Sequence, residues 1–292
     1  MFFQQLFNGI TIGATYSLVA VGFSIVYSVL ELVNFAHGSF YVMAGYLVLT
    51  MYSFMALPYP LSLIAAMVVT GLLGAAMNQF ILQPIRKKTS SGESVMTATL
   101  GVSTFMLNLI MVLYGSETKP FPNPINLGKF YVGNVIMKWD QIVIAVAAVI
   151  MIIVMSIIIY KTKIGSGMRA IAQDVSAAKL MGVNTELVIT FSFFTGILCA
   201  SIAGILVAMY YGSIDTTMYL GVSMKTFAAA LLGGIGSLPG AALGGVIIGV
   251  LEAFVAGYVS SDWKDCAAFV VLILVLLFRP YGLFGHKEIK KV

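Results

Sequence analysis

The run IVIAVAAVIMIIVMSIIIY (142–160), the segment KTKIGSGMRAIAQDVSAAKLMGVN (161–184) and the run LVITFSFFTGILCASIAGILVAMYY (187–211) decide the fold. A helix needs about 20 apolar residues to cross a hydrocarbon core of roughly 30 Å, and each flanking run supplies them. Between them lie Lys161, Lys163, Arg169 and Lys179, four of the 16 basic residues in the chain. Lysine and arginine in short interhelical segments favour the cytoplasm. The segment is therefore a charged handle on the cytoplasmic face of a membrane-embedded chain.

Composition agrees. Of 292 residues, 60% are hydrophobic and 9% charged, with a mean hydropathy of +1.01. Soluble domains have about a quarter of their residues charged, so a water-soluble globule is excluded. The expected fold is all-α: a polytopic transmembrane helical bundle of eight or nine spans, one transmembrane domain over 1–292. The net charge of +5 sits in interhelical segments, which points to the anionic leaflet or a protein partner and not to nucleic acid. Cys199 and Cys266 lie in or beside apolar runs without metal-ligand spacing, and are expected to pack as small apolar side chains. No basic stretch precedes the first apolar run, so that run is expected to be a permanent span and not a cleaved signal.

Candidate spans cover 6–30, 38–57, 61–82, 95–114, 141–160, 187–211, 218–238, 241–259 and 264–279. Three basic groups mark the cytoplasmic side: Arg86, Lys87 and Lys88; the handle; and Arg279, Lys287, Lys290 and Lys291 at the C-terminus. Even numbers of spans separate them, so the three assignments agree. Nine crossings place the N-terminus outside; merging one pair places it inside. The 115–140 segment is then external and long enough to be structured, with Pro120, Pro122 and Pro124, although Lys119, Lys129 and Lys138 run against the inside bias.

Several chemistries lack their residues. No P-loop occurs, nor H-E-x-x-H, C-x-x-C or G-x-S-x-G, and the histidines are His37 and His286. The handle reads as one amphipathic helix, with Met168, Ile171, Ala172, Val175, Ala178 and Gly182 on an apolar arc and Arg169, Gln173 and Ser176 opposite. Gly182 with Asn184 is placed to cap its end. Its readings are a helix lying on lipid or a docking helix for a cytoplasmic motor, and its small residues, Ala177 among them, suit close approach of a partner. The stretch ELVNFAHG (31–38) is either an interfacial turn or a helix break lining a pathway, with Asn34, His37 and Gly38 as pathway candidates. Gly233, Gly236, Gly240 and Gly244 have the small-residue spacing of close helix packing, and Pro239 breaks a helix nearby. Glu252 is the clearest intramembrane charge, placed to hold a structural partner or to serve transport. Lys225 is placed to reach an interface or pair with an acid, and Asp215 to sit in an external turn. Residues 9–45 and 196–232 each show a span, a break with an acid and a second span, a weak sign of an inverted repeat.

Asn34-Phe-Ala-His37-Gly38, the basic segment through Arg169 to Asn184, the glycine run 233–245 and the C-terminal FRPYGLFG (278–285) together resemble the branched-chain amino acid ABC permeases, across nearly the whole chain. The resemblance implies the shorter permease subunit of an importer in a bacterial cytoplasmic membrane. It implies a second homologous permease subunit, two cytoplasmic ATPase subunits and an extracytoplasmic amino-acid-binding protein as partners. ATP and magnesium would be bound by those ATPases, with no cofactor, metal or catalytic residue in this chain. Substrates would be leucine, isoleucine and valine, with other amino acids, urea or short amides as alternatives. Coupling to the ATPase would fall on Arg169, Ala177, Ala178 and Gly182, in a degenerate form of the coupling motif and not the stricter Glu-Ala-Ala version, since Gln173 and Asp174 stand before Ala177 and Ala178. The competing readings are a secondary transporter using Glu31, His37 or Glu252 as ion sites, and an intramembrane enzyme, for which no catalytic pair is found. If the handle docks a motor, Gly182→Arg or a charge reversal at Arg169 abolishes uptake while membrane insertion stays normal, as read by transport assays beside immunoblots of the membrane fraction.

Overall fold

The computed structural model describes residues 1–89, 91–122, 128–132, 135–279 and 281–285. His286, Lys287, Lys290 and Lys291 of the basic tail, and Pro124 and Pro280, lie outside the described residues. The helices in chain order are α1 (Phe2–Leu30), α2 (His37–Leu49), α3 (Tyr59–Met77), α4 (Gln83–Lys88), α5 (Gly92–Tyr114), α6 (Trp139–Lys161), α7 (Lys163–Ile171), α8 (Val175–Leu180), α9 (Thr185–Tyr211), α10 (Met218–Gly233), α11 (Leu238–Tyr258) and α12 (Lys264–Phe278). A π-helical turn at Thr50–Phe54 extends α2, and another at Asn78–Leu82 joins α3 to α4 in a 30-residue rod, Tyr59–Lys88.

Each of the nine apolar runs is helical. Six are long and apolar enough to cross a membrane. The helices α2, α10 and α12 have 13, 16 and 15 residues, and at 1.5 Å per residue a 16-residue helix reaches only about 24 Å. Two of these short helices, α2 and α10, follow breaks inside the bundle.

The core is built on α1 and α9, both buried along most of their length. They run antiparallel and cross where Gly22 and Gly196 face each other, a Cβ on either one colliding with the other's carbonyl oxygen. On its opposite side α1 packs antiparallel to α11: Gly9 lies against Gly249 and Val250, Gly13 against Val246, and Gly245 against Ser17. The Ser17 hydroxyl donates to Ala242 O at 2.5 Å. In lipid no water is released when apolar helices meet, so association rests on close backbone contact of this kind. The outer helices carry apolar surface instead, as with Val146, Val149, Ile150, Ile153 and Ile157 along α6.

Short strands form two small two-stranded sheets between helices. The strands β2 (Lys129–Val132) and β3 (Val135–Lys138) make an antiparallel hairpin, and β1 (Lys119–Pro120) pairs with β4 (Ser213–Ile214). Gln4 exchanges hydrogen bonds with the Ile136 backbone, its Nε2 donating to the carbonyl at 2.9 Å and its Oε1 accepting from the amide at 2.8 Å. The start of α1, the 115–140 segment and the α9–α10 link therefore share one face. On the opposite face Arg86, just beyond the α3 rod's π turn, donates to Asn78 Oδ1 at 3.0 Å and lies 3.9 Å from Glu186 at the start of α9. Arg86–Lys88 and the handle thus share that second face.

The two helix–break–short-helix units are real as topology. α1 ends at Glu31 (φ 54°) and α9 at Gly212 (φ 67°), both in the left-handed region. Each short helix then packs on the other unit's long helix, α2 on α9 and α10 on α1. Because the long helices run antiparallel, the units are inverted relative to each other. Gly249→Leu, which drives a side chain into the α1 backbone at Gly13, is expected to cost at least the ~1–3 kcal/mol of ordinary overpacking, read as a lowered midpoint in thermal unfolding of the detergent-solubilised protein.

Candidate functional site

The chain from 31 to 36 leaves α1 and re-enters the bundle. The Phe35 amide donates to Thr99 Oγ1 of α5 at 3.1 Å, and Asn34 Oδ1 accepts from the Ala36 amide at 3.1 Å. α2 then starts at His37, beside the middle of α1: His37 Nε2 lies 3.2 Å from the Val19 carbonyl. A carbonyl only accepts, so Nε2 carries the proton, and in the neutral ring Nδ1 is a free lone pair. Glu31 stays exposed. The interfacial-turn reading thus holds for Glu31 and fails for Asn34 and His37, which are 4% and 3% exposed.

These residues line an inner pocket of about 360 Å³ with Phe23, Met96, Ser223, Thr226 and Phe227. Four polar atoms there have no hydrogen-bond partner: Asn34 Nδ2, His37 Nδ1, Ser223 Oγ and Thr226 Oγ1. Buried polar groups are normally satisfied; these four carry almost no accessible surface and sit behind a pocket wall that is almost wholly apolar. Gly38 makes the approach of α2 to α10 possible, since a Cβ there would strike Ser223 Oγ. Ser223 and Thr226 have no sequence signal as site residues; α10 brings them in.

A second, outer cavity of about 420 Å³ lies nearer the face with the α1 N-terminus, beside the α9–α10 link. Asp215 caps α10 there, accepting from the Thr217 and Met218 amides at 2.8 and 3.1 Å. α10 separates the two spaces. Met218, Gly221, Val222 and Lys225 face the outer cavity, while Ser223, Met224, Thr226 and Phe227 face the inner pocket.

Glu252 does not stand alone. Lys225 Nζ lies 2.8 Å from Glu252 Oε1 and 2.8 Å from an Asp265 carboxylate oxygen. It also donates to the Tyr16 hydroxyl at 3.2 Å. Lys264 Nζ is 3.7 Å from Glu252 Oε1. Lys225 and Glu252 are 7% and 4% exposed. Two ammonium groups and two carboxylates thus form a neutral cluster, the arrangement that lets charge persist away from water. Asp265 and Lys264 enter it only because α12 starts beside α10.

In the glycine run, Gly233 and Gly240 touch backbone to backbone and Gly244 meets the Ala229 carbonyl, so these three pack α10 against α11. Gly236 does not: it sits in the turn before α11 at φ 84° and its amide donates to Ser24 Oγ at 3.1 Å. The four-residue spacing from Gly236 belongs to a turn, because α10 ends at Gly233 and α11 starts at Leu238 with Pro239 in its first turn. The C-terminal segment closes this break, the Leu283 and Phe284 amides donating to the Leu232 and Gly233 carbonyls at 2.9 and 3.0 Å.

The handle is two short helices, not one. Asp174 accepts from the Ser176 and Ala177 amides at 2.7 and 2.9 Å and so begins α8 anew. The expected apolar arc is split accordingly: Met168, Ile171 and Ala178 are buried, while Ala172, Val175 and Gly182 are exposed. Gly182 (φ 83°) ends α8, but Asn184 caps α9, accepting from the Leu187 amide at 3.1 Å. Arg169 turns back to the end of α6, donating to the Ile159 carbonyl and standing over the Tyr160 ring at 5.8 Å. Gln173, Asp174 and Ala177 are exposed. So are two residues beyond the expected set, Leu180 and Met181 at 88% and 85%.

The model of the family described as "Branched-chain amino acid transport system / permease component" matches residues 5–276. The chain belongs to this permease family. It is 36% identical over 305 residues to the high-affinity branched-chain amino acid transport system permease protein BraD of Pseudomonas aeruginosa, covering 100% of this chain and 98% of that one. It is 34% identical to the corresponding LivH of Escherichia coli K12, with the same coverage. A partial match, 29% over 62% of this chain and 51% of the other, is the autoinducer 2 import system permease protein LsrC of Yersinia enterocolitica. Among solved structures, PsaBC from Streptococcus pneumoniae in complex with Fab superposes with a TM-score of 0.52 at 14% identity, over 96% of this chain and 92% of that one, a likeness of fold. The all-α polytopic architecture and the multi-pass membrane location stand.

Replacing Lys225 by Met leaves Glu252 with Lys264 alone at 3.7 Å and is expected to cost about 3–5 kcal/mol, as for other broken buried pairs. The double variant Lys225→Met with Glu252→Met regains part of that loss, as thermal unfolding in nanodiscs would measure.

Proposed function

We propose that this chain is a membrane-spanning subunit of an ABC importer that passes leucine, isoleucine and valine into the cytoplasm. The observation that carries this reading is the end-to-end match to branched-chain amino acid transport permeases. The pathway chemistry supports it. A carrier for apolar amino acids wants apolar walls with a few uncharged polar groups, so that a substrate enters and leaves without a deep energy well. Phe23 and Phe227 beside Asn34, His37, Ser223 and Thr226 meet that requirement.

The face with Arg86–Lys88 and the handle is cytoplasmic, and the described segment 281–285 beyond α12 lies on it. The 115–140 segment and the N-terminus are then extracytoplasmic, with nine helices traversing the bundle. Partners are a second homologous permease subunit, two cytoplasmic ATPases that bind ATP and magnesium, and an extracytoplasmic amino-acid-binding protein. The chain itself contributes no chemistry. It supplies two conformations, outward-open and inward-open, whose balance ATP and the loaded binding protein shift by binding one better than the other. α10, with a cavity on either side, is the partition that moves.

The ATPase docks on α7–α8. Arg169 and Asp174 shape the segment, and Leu180, Met181 and Ala177 are the surface offered to a groove. An exposed apolar pair at a polar tip is the chemistry of an interface anchor. Met181→Asp or Leu180→Asp therefore weakens ATPase association by about thirtyfold, the ~2 kcal/mol of a hot-spot residue. Co-purification of the ATPase and leucine uptake fall together while the membrane level of the chain is unchanged. In proteoliposomes containing all subunits, uptake requires internal ATP and binding protein and survives collapse of the proton gradient. Uptake driven by the gradient alone would instead make the chain a secondary transporter.

A further inference from the structure

Uncharged polar groups line the inner pocket, but the outer cavity ends in charge. Lys264 and Asp265 are consecutive residues in the first turn of α12, and both line the cavity with Lys225. Behind them Glu252 closes the cluster. Its Oε1 holds both lysines, while Oε2 is buried without a hydrogen-bond partner. The hydroxyl of Tyr41, another lining residue, is also buried without a partner, on a side chain 2% exposed. The remaining wall includes Ile12, Val207 and Val222. At about 420 Å³ the space falls within the roughly 300–1,000 Å³ usual for small-molecule sites.

Charge balance limits what fits. The cluster is already neutral, so a cation or an anion brought in alone would leave a net charge beside Lys225 and Glu252, which are buried, and that is costly. A ligand carrying both charges, on two groups attached to one carbon, adds none. It can take Lys264 with its carboxylate and Asp265 with its ammonium. An apolar side chain then meets the aliphatic wall.

We propose that the outer cavity is a binding site for a free α-amino acid zwitterion with an apolar side chain, held between Lys264 and Asp265. The proposal rests on the amino-acid importer reading above and adds a way-station between the binding protein and the inner pocket. It places recognition of the amino and carboxylate groups on this chain, and not on the binding protein alone.

A thiol reports on the site without disturbing it. Gly221 lines the cavity, and a Cβ there meets nothing within 4 Å. Gly221→Cys is made in a Cys266→Ser background; Cys199 is buried and stays silent. The full chain with its co-purifying subunits, in nanodiscs without binding protein, is labelled by a charged maleimide. L-leucine at about nine times its dissociation constant slows labelling about tenfold. Isopentylamine, lacking the carboxylate, and 4-methylpentanoate, lacking the ammonium, leave the rate unchanged, and protection by leucine disappears in Lys264→Gln and in Asp265→Asn. Equal protection by either half-molecule, protection that persists in both charge variants, or no protection at all by leucine overturns the site. Leucine uptake by the intact system separates the two levels: uptake without protection sinks this site alone, and absence of uptake sinks the importer reading.

Discussion

Everything in this bundle depends on backbone meeting backbone along α1. A membrane helix gains nothing from leaving lipid for another apolar surface unless the two approach closely, because both environments are hydrocarbon. Gly22 against Gly196 on one side, and Gly9 and Gly13 against α11 on the other, provide that approach. Once α1 is fixed between α9 and α11, the two inverted units fall into place around it. The short helices α2 and α10 can then start and stop inside the bundle, where neighbouring helices and side chains such as Thr99, Asn34 and Ser24 satisfy their ends.

The same constraint explains where polarity is tolerated. Lys225, Glu252, Asp265 and Lys264 balance to zero, and three helices must meet for that balance to exist. The inner pocket takes the other route and keeps its polar groups uncharged. α10 carries both solutions on opposite faces, so one helix borders two chemically different spaces. The handle, α7 and α8, is held to the end of α6 through Arg169.

Much of this was legible in the residues. Nine apolar runs became nine helices, and the handle lies on the face of Arg86–Lys88, as the basic-residue count required. Asn34 and His37 proved to be buried, and Gly233, Gly240 and Gly244 to be packing positions. The failures are local and have causes. Helical periodicity alone cannot see that Asp174 offers its carboxylate to the amides of α8, which splits the handle. Gly236 keeps glycine spacing but falls in a turn. The glycines at 9, 13, 245 and 249 carry a readable spacing, yet spacing names no partner.

Composition and hydrophobic run length determined by themselves that this chain is a multi-pass helical membrane protein, because so little charge cannot keep a globule in water and about 20 apolar residues match a bilayer core. Its motifs also determined the permease family. Tertiary structure alone decided which residues share a site. Ser223 with His37, Asp265 with Lys225 and the exposure of Leu180 and Met181 all depend on how helices distant in sequence cross. That crossing is set by close packing between surfaces, a property of pairs of helices that no single stretch of sequence contains.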